Sequence, residues 1–290
     1  MFTPWTAFFS AEGLHLFEQS LHLALAEDGP DLTAEGIFAP DCGMQAIIRA
    51  KQESLVAGLP VIGLTFKALG MPFRWRALVR EGALVPAMTD VAVISAPAVA
   101  LLKAERVMLN FITRLSGIAN LTARYARALE GTGVRLLDTR KTTPCLRWVE
   151  KYAVQVGGGH NHRMSLTDML MLKDNHIDAA GSISRAVARL RACYSPCPPI
   201  EVECRSLDHV REAVAARADR IMMDNMPLPL LQEALALVPP QLETEVSGGV
   251  TLENIRSIAL VGPRRPDFIS VGRLTHSATA ADYSMTILPR

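Results

Sequence analysis

The chain has 290 residues, 49% of them hydrophobic, enough to bury a sizeable core in one large or two medium domains. Its 30 Lys+Arg balance 29 Asp+Glu, and a net charge of +1 with no long Lys/Arg run argues against a nucleic-acid binder, just as no uninterrupted apolar run reaches membrane-spanning length. Neither nucleic acid nor a membrane is an expected partner. The opening MFTPWTAFFSAEGLHLF has no basic region ahead of an apolar stretch, and Cys42, Cys145, Cys193, Cys197 and Cys204 are odd in number and scattered. Both features fit a cytoplasmic protein with reduced thiols.

Residues 11–27 put Leu14, Phe17, Leu21 and Leu25 on one helical face, and the DGPD stretch at 28–31 breaks the pattern. From Met44 to Ala50 the pattern is mixed. The run FRWRALV at 73–79 alternates Phe73, Trp75, Ala77 and Val79 with Arg74 and Arg76, as a half-buried strand does. Gly82, Pro86 and Pro97 punctuate the next segment, and a long helical pattern follows from about Ala98 to Leu129. Beyond it the chain alternates short apolar runs, VRLLD, MLMLK, PIEVE, RIMMD, LETEV and DFISV, with helical segments at 144–155, 182–193, 207–217, 228–237 and 251–260. Six strands alternating with helices imply right-handed βα units on a parallel sheet.

Nearly every one of those runs ends in a polar cluster: Asp138-Thr139-Arg140-Lys141, Lys173-Asp174-Asn175, Glu203, Asp224-Asn225, Ser247-Gly248-Gly249 and Gly272. Groups at the C-terminal ends of successive parallel strands converge on one mouth in a barrel, so a barrel is expected ahead of a doubly wound sheet. Arg140, Lys141, His162, Arg163 and Lys173 crowd into a short stretch of an otherwise balanced chain, and cations beside buried strands cost desolvation energy unless an anion meets them. The glycines after the last two runs allow close backbone approach to a phosphate. Glu203 and Asp224 have the chemistry to hold Mg²⁺ or sugar hydroxyls, or to form structural ion pairs; Glu201 shares the face of Glu203, and the residues alone do not choose between them. His160 and His162 form an H-x-H spacing with no third soft ligand nearby, and no second Cys/His pair accompanies Cys193 and Cys197, so neither metal pattern is complete. Lys173 at a strand end also admits a Schiff-base lyase, and a non-catalytic anion-binding barrel is a third class.

The segments TRKTTP (139–144), KYAV (151–154), GGGHNHR (157–163), KDNHI (173–177), EVE (201–203), MDN (223–225), SGG (247–249) and VGRLTHS (271–277), preceded by ERVMLNFITRLSGIA (105–119), resemble the quinolinate phosphoribosyltransferases. The resemblance implies an N-terminal α/β sandwich domain over 1–115 and a C-terminal, TIM-like incomplete α/β barrel over 116–290, with the last residues packing back on the N-terminal domain. It implies a cytoplasmic homodimer that makes nicotinate mononucleotide, pyrophosphate and CO₂ from quinolinate and phosphoribosyl pyrophosphate with Mg²⁺, in de novo NAD biosynthesis. Residue by residue, Arg140, His162, Arg163 and Lys173 resemble quinolinate ligands, and Arg106 the arginine lent by the neighbouring subunit. Lys141 would face the pyrophosphate, Glu203 and Asp224 the ribose and metal, and Ser247, Gly248, Gly249 and Gly272 the 5′-phosphate; Lys141, Glu203 and Asp224 would carry the catalysis. The sequence departs from the family pattern in a shortened EDGPDLT (27–33), in Cys145 where glycine is common, and in Arg273 beside Gly272. A related family found with molybdate transport genes shares the fold, but the KDNH and LTHS segments resemble the biosynthetic enzyme.

Overall fold

A computed structural model describes residues 3–288. The chain forms two compact units, one of Met1–Ala123 with Lys141–Gly158 and Arg273–Arg290, the other of Arg124–Arg140 with Gly159–Gly272. The boundary expected at 115/116 falls inside a continuous helix, because the chain leaves and re-enters the first unit twice after it.

The first unit opens with α1 (Trp5–Phe8), α2 (Ala11–Glu27) and α3 (Leu32–Ile37). Ser10 caps α2 by accepting from Gly13 N–H at 3.0 Å, and Gly13, Phe17, Leu21 and Leu25 recur at helical spacing as its buried stripe. Past the end of the helix Lys103 donates to Leu25 O in its last turn and to Gly29 O beyond it, and Asp31 then caps α3 through Ala34 N–H.

Next come β1 (Gly43–Ala50), β2 (Ser54–Leu55), α4 (Pro60–Leu69), β3 (Arg74–Ala77), β4 (Leu84–Val85), β5 (Thr89–Pro97) and α5 (Ala98–Ala128). β1 is the centre of this unit although its sequence is ambiguous: Ala46, Ile48 and Ala50 face the core in period two, but Ile47 on the opposite face hides the alternation. It pairs antiparallel with β5 on one side and, on the other, with the strand Tyr283–Ile287 from the C-terminal end of the chain, in the sheet order Tyr283–Ile287, β1, β5, β3. Of the expected strand at 73–79, the part Arg74–Ala77 forms β3, whose Trp75 packs over Gly63 of α4. Val61, Ile62 and Phe66 of α4 join the buried residues of β1, β5 and α5 in the core.

The chain then runs through β6 (Arg135–Leu137) to α6 (Arg147–Val156). The sequence assigns this helix to the cover of the parallel sheet, but it belongs to the first unit. Trp148 and Tyr152 of α6 lie in an aromatic cluster with Trp5, Phe8 and Phe9, and a Cβ on Gly13 would meet the Trp148 ring at 2.4 Å. Burial of two large rings outweighs the default of placing each helix on the neighbouring sheet.

The second unit is built from β6, β7 (Leu170–Leu172), α7 (Asp174–Ala180), α8 (Ile183–Cys193), β8 (Ile200–Cys204), α9 (Leu207–Ala215), β9 (Arg220–Asp224), α10 (Leu228–Leu237), β10 (Glu243–Ser247), α11 (Ile255–Ala259) and β11 (Phe268–Ser270). Each of the six apolar runs contributes a strand, and all pairings are parallel, in the order β6-β11-β10-β9-β8-β7. His160 adds a parallel bridge to Leu137 outside β6. Five strand spacings, about 24 Å in a flat sheet, separate that outer segment from β8. Yet Nε2 of His162 lies 3.1 Å from Oε2 of Glu201 on β8, so the sheet curls round on itself toward a barrel with one open side. At the N-terminal end of the strands the guanidinium groups of Arg135 and Arg220 lie 4.0 and 4.3 Å from the Phe268 ring centroid. The chain ends in α12 (Arg273–His276) and β12 (Tyr283–Ile287), the strand beside β1.

Candidate active site

The C-terminal ends of the parallel strands bring the predicted residues of the second unit to one rim. Lys173 follows β7, Glu203 ends β8, Asp224 ends β9, Ser247 ends β10 and precedes Gly248 and Gly249, and Gly272 follows β11. Arg140 stands just beyond β6. Parallel pairing aligns these ends, which is why residues up to 132 positions apart share one rim.

The rim carries two like-charged pairs. Arg163 is held below its usual range by burial and then by the neighbouring Arg140 cation. Its Nη1 donates to Met169 O at 2.7 Å, which fixes the guanidinium, while Nε of Arg140 is buried without a hydrogen-bond partner among the described residues. Two arginines brought together this way form a site for an anion. Across the rim, burial raises the carboxyl of Glu203, and the Asp224 carboxylate raises it further, against Lys173 and Arg205. Two carboxylates brought together suit a cation or sugar hydroxyls. Lys173 lies against the carboxylates, with Nζ 3.7 Å from Oε2 of Glu203.

The glycine turn after β10 is shaped by Asn225. Asn225 donates its backbone N–H to Ser247 O at 2.9 Å and its side-chain Nδ2 to Asp224 Oδ2 at 2.9 Å. Gly248 sits at φ +88°, and a Cβ there would lie 2.2 Å from Asn225 Oδ1. Only glycine satisfies both the left-handed backbone and this approach. Asn254 closes the turn, accepting from Thr251 N–H and donating to Gly249 O.

His162 is placed differently from the others. It is buried, its backbone N–H donates to Asp138 Oδ1 at 2.8 Å, and both ring nitrogens face protein groups. Nδ1 accepts from Arg163 N–H at 2.7 Å, and Nε2 faces Glu201 and Glu245. Glu201 and Glu203, two residues apart on one face of β8, separate by depth: Glu201 is wholly buried inside the curl, and Glu203 reaches the rim. Asp138, buried at the end of β6, also accepts from Asn161 Nδ2 at 2.7 Å and ties the 160–163 segment to β6. Its only sequence signal is a carboxylate closing the apolar run VRLLD.

Lys141 and Arg106 belong to the first unit, and both are exposed. Thr275 donates its hydroxyl to Lys141 O at 2.8 Å. The wholly buried Glu150 accepts from Thr143 N–H at 3.0 Å and from Arg114 Nη2 at 2.9 Å, and Arg114 also donates to Ala278 O and Thr275 O. Arg114 and Glu150 thus order the segment that carries Lys141, although spacing singled out neither. Cys145, in the same segment, has φ +65°, a conformation glycine adopts without steric cost. Arg273 is exposed at the start of α12.

The model of the quinolinate phosphoribosyl transferase C-terminal domain matches residues 118–286, and that of the N-terminal domain matches residues 31–116. The chain belongs to the quinolinate phosphoribosyltransferase family. It is 42% identical over 267 residues to a probable nicotinate-nucleotide pyrophosphorylase [carboxylating] of Bacillus subtilis, covering 92% of this chain and 91% of that one. A chloroplastic protein of that name from Arabidopsis thaliana is 39% identical, covering 92% of this chain and 81% of its own length. Among solved structures, NadC from Streptococcus pyogenes superposes with a TM-score of 0.87 at 38% identity, covering 94% of this chain and 97% of that one. The family's two domain models meet within α5, which carries the chain from the first unit into the second.

Proposed function

We propose that this family member is a quinolinate phosphoribosyltransferase of de novo NAD synthesis, forming nicotinate mononucleotide, pyrophosphate and CO₂ from quinolinate and phosphoribosyl pyrophosphate. The observation that carries the reading is the Arg140–Arg163 pair, whose buried Arg140 Nε has no hydrogen-bond partner among the described residues, on the same rim as the Glu203–Asp224 pair. A pyridine dicarboxylate satisfies the first pair, and a sugar that gains positive charge as pyrophosphate leaves satisfies the second. Arg140, His162, Arg163 and Lys173 bind and orient quinolinate. Glu203 and Asp224 face the ribose, Lys141 the pyrophosphate, and Ser247, Gly248, Gly249 and Gly272 the 5′-phosphate through close backbone approach.

Glu203 and Asp224 also fit a divalent cation, since burial and mutual repulsion already disfavour two bare carboxylates there. Mg²⁺ bound at these residues would neutralise the pyrophosphate leaving group. In this reading the protein is a cytoplasmic homodimer in which Arg106 of each subunit completes the partner's site. An exposed arginine on α5, set in AERVMLN, is consistent with a residue that serves another chain. No described helix is long and apolar enough to cross a membrane.

Purified protein given quinolinate, phosphoribosyl pyrophosphate and Mg²⁺ should form nicotinate mononucleotide, detected by chromatography, with one CO₂ released per product. Quinolinate binding without turnover would overturn the transferase in favour of a binding protein. Borohydride trapping of Lys173 on a carbonyl substrate would favour a lyase, but Lys173 is half exposed and lies against Glu203 rather than in an apolar enclosure.

A further inference from the structure

Residues 141–143 lie in no helix or strand, so no ladder of backbone hydrogen bonds fixes them. Side chains of the same unit hold them, beginning from a wholly buried carboxylate, that of Glu150 on α6. Its Oε1 accepts from Arg114 Nε at 3.0 Å, from Arg114 Nη2 at 2.9 Å and from the Thr143 hydroxyl at 2.7 Å, and its Oε2 accepts from Thr143 N–H at 3.0 Å. A buried ion pair is tolerable only when hydrogen bonds meet its remaining lone pairs, and here both oxygens are engaged. Thr143 is thereby fixed at backbone and side chain at once.

Arg114 has further donors to place. α12 has four residues, too few to satisfy its own last carbonyls, and Arg114 donates to Thr275 O within it and to Ala278 O beyond it, the latter at 3.1 Å. Thr275 is wholly buried, and its hydroxyl donates to Lys141 O at 2.8 Å. One guanidinium on α5 therefore holds this segment at two points, at Thr143 through Glu150 and at Lys141 through Thr275. Arg147 Nε adds a bond to the Thr142 hydroxyl at 3.3 Å, so three consecutive residues are each tied by a side chain from elsewhere.

Lysine reaches a ligand on a flexible four-carbon stem, so where its ammonium arrives depends on how firmly its backbone is held. The Thr275 bond falls on the Lys141 carbonyl, the group that swings when the 141–142 peptide turns. We propose that Thr275 is a positioning residue for the transfer: its hydroxyl, aimed by Arg114, fixes the backbone from which Lys141 reaches the pyrophosphate. The proposal rests on the reading of Lys141 as the residue that faces the pyrophosphate. It gives a part in the reaction to the LTHS segment, which the candidate substrate contacts leave aside.

A packing role alone would behave differently. Valine has the shape of threonine without the hydroxyl, so Thr275→Val keeps the methyl contacts and removes the bond to Lys141 O. If the hydroxyl served only the fold, its loss would lower stability and weaken both substrates alike. If it serves Lys141, its loss falls on the substrate that carries the pyrophosphate, and only while Lys141 is present. Two residues that act through one contact are not additive, and a double-variant cycle reads that coupling directly.

The test is titration calorimetry of phosphoribosyl pyrophosphate with Mg²⁺, and separately of quinolinate, on wild type, Thr275→Val, Thr275→Ser, Lys141→Ala and the double variant Lys141→Ala with Thr275→Val. Thr275→Val should weaken phosphoribosyl pyrophosphate binding about tenfold and shift quinolinate less than about twofold, as for one lost hydrogen bond acting on one ligand. Thr275→Ser, which keeps the hydroxyl, should stay within about threefold of wild type. In the Lys141→Ala background, Thr275→Val should change the Kd less than about twofold. In turnover the KM for phosphoribosyl pyrophosphate should follow its Kd while that for quinolinate holds. If Thr275→Val does not fold, Thr275→Ala carries the same comparison. Equal losses for both ligands, Thr275→Ser as weak as Thr275→Val, or a Thr275→Val effect that survives in Lys141→Ala overturns the proposal. Wild type that binds phosphoribosyl pyrophosphate but makes no nicotinate mononucleotide would sink the transferase reading and leave these titrations to decide the role of Thr275.

Discussion

At the scale of single residues, the rim is a set of charges waiting for partners. Arg140 and Arg163 repel each other, and Nε of Arg140 has no hydrogen-bond partner among the described residues, so a substrate with one carboxylate leaves part of the pair unmatched. Quinolinate should therefore exceed nicotinate in kcat/KM by at least about 100-fold, and comparable values for the two acids would refute the assignment. The glycine turn allows a sharper test. Ala at 248 would have to hold φ near +88° and place its Cβ 2.2 Å from Asn225 Oδ1, so Asn225 must swing away and release Asp224. Gly248→Ala is expected to raise the KM for phosphoribosyl pyrophosphate about tenfold or more while costing roughly 1–3 kcal/mol of stability. An unchanged KM would show that the approach does not matter for the phosphate end.

Among the elements, α5 is held at several points along its length. Gly117 lets it run against the 279–280 segment of its own unit, and a Cβ would lie 2.1 Å from Thr279 O. Backbone cannot yield as a long side chain can, so Gly117→Ala should destabilise the protein by about 2–4 kcal/mol in urea unfolding. A change below about 0.5 kcal/mol would show that the segment shifts at little cost. The same helix supplies Arg114 to Glu150 and Lys103 to the end of α2, so its polar residues finish other elements while its apolar face fills the core.

For the whole molecule, the buried carboxyls set the pH of greatest stability. Burial pushes Glu81 up to about 7, against hydrogen bonds from Gly58 N–H and Leu59 N–H, and Glu201 to a similar value. Between about pH 4.5 and 7 the folded protein keeps protons on both that the unfolded chain has released, so stability falls as pH rises through that window, by on the order of 3 kcal/mol for each. Asp90, Asp174, Glu212 and Glu245 are shifted the other way, and the stability they contribute is lost as pH falls through their lowered values. The melting temperature should thus peak near pH 5 and decline by pH 7.5, and a steady rise across that range would contradict the burial of both glutamates. Assembly has its own test. If Arg106 serves the partner, mixing inactive Arg106→Ala with inactive Lys141→Ala subunits should restore activity, because one site in each mixed dimer receives both intact residues. No recovery in mixed dimers verified by mass spectrometry would assign Arg106 to its own subunit or to the fold.

Much of this protein is determined locally and was legible from residue order. Six apolar runs closed by Asp, Lys, Glu, Ser or Gly became six parallel strands, because strands buried on both faces are mainly apolar and most of their polar groups fall at the ends, the buried Glu201 and Glu245 being exceptions. The polar ends therefore announced the rim, and the motifs they form carried the family. β1 was less legible, since an isoleucine on each face blurs period two, and β12 gains its place only from pairing with a strand more than 230 residues earlier. Distance along the chain also hid the path of α6, which leaves the sheet because aromatic partners at Trp5 and Phe8 lie in the first unit. The clearest case is Glu201 and Glu203. Alternation puts both on one face of β8, but two residues advance a strand by about 6.6 Å, and whether that step crosses from a closed interior to an open rim depends on how far the sheet curls. That curl, set by packing among all six strands, makes Glu203 a rim carboxylate and Glu201 the buried acid beneath it, with His162 Nε2 3.1 Å from Glu201.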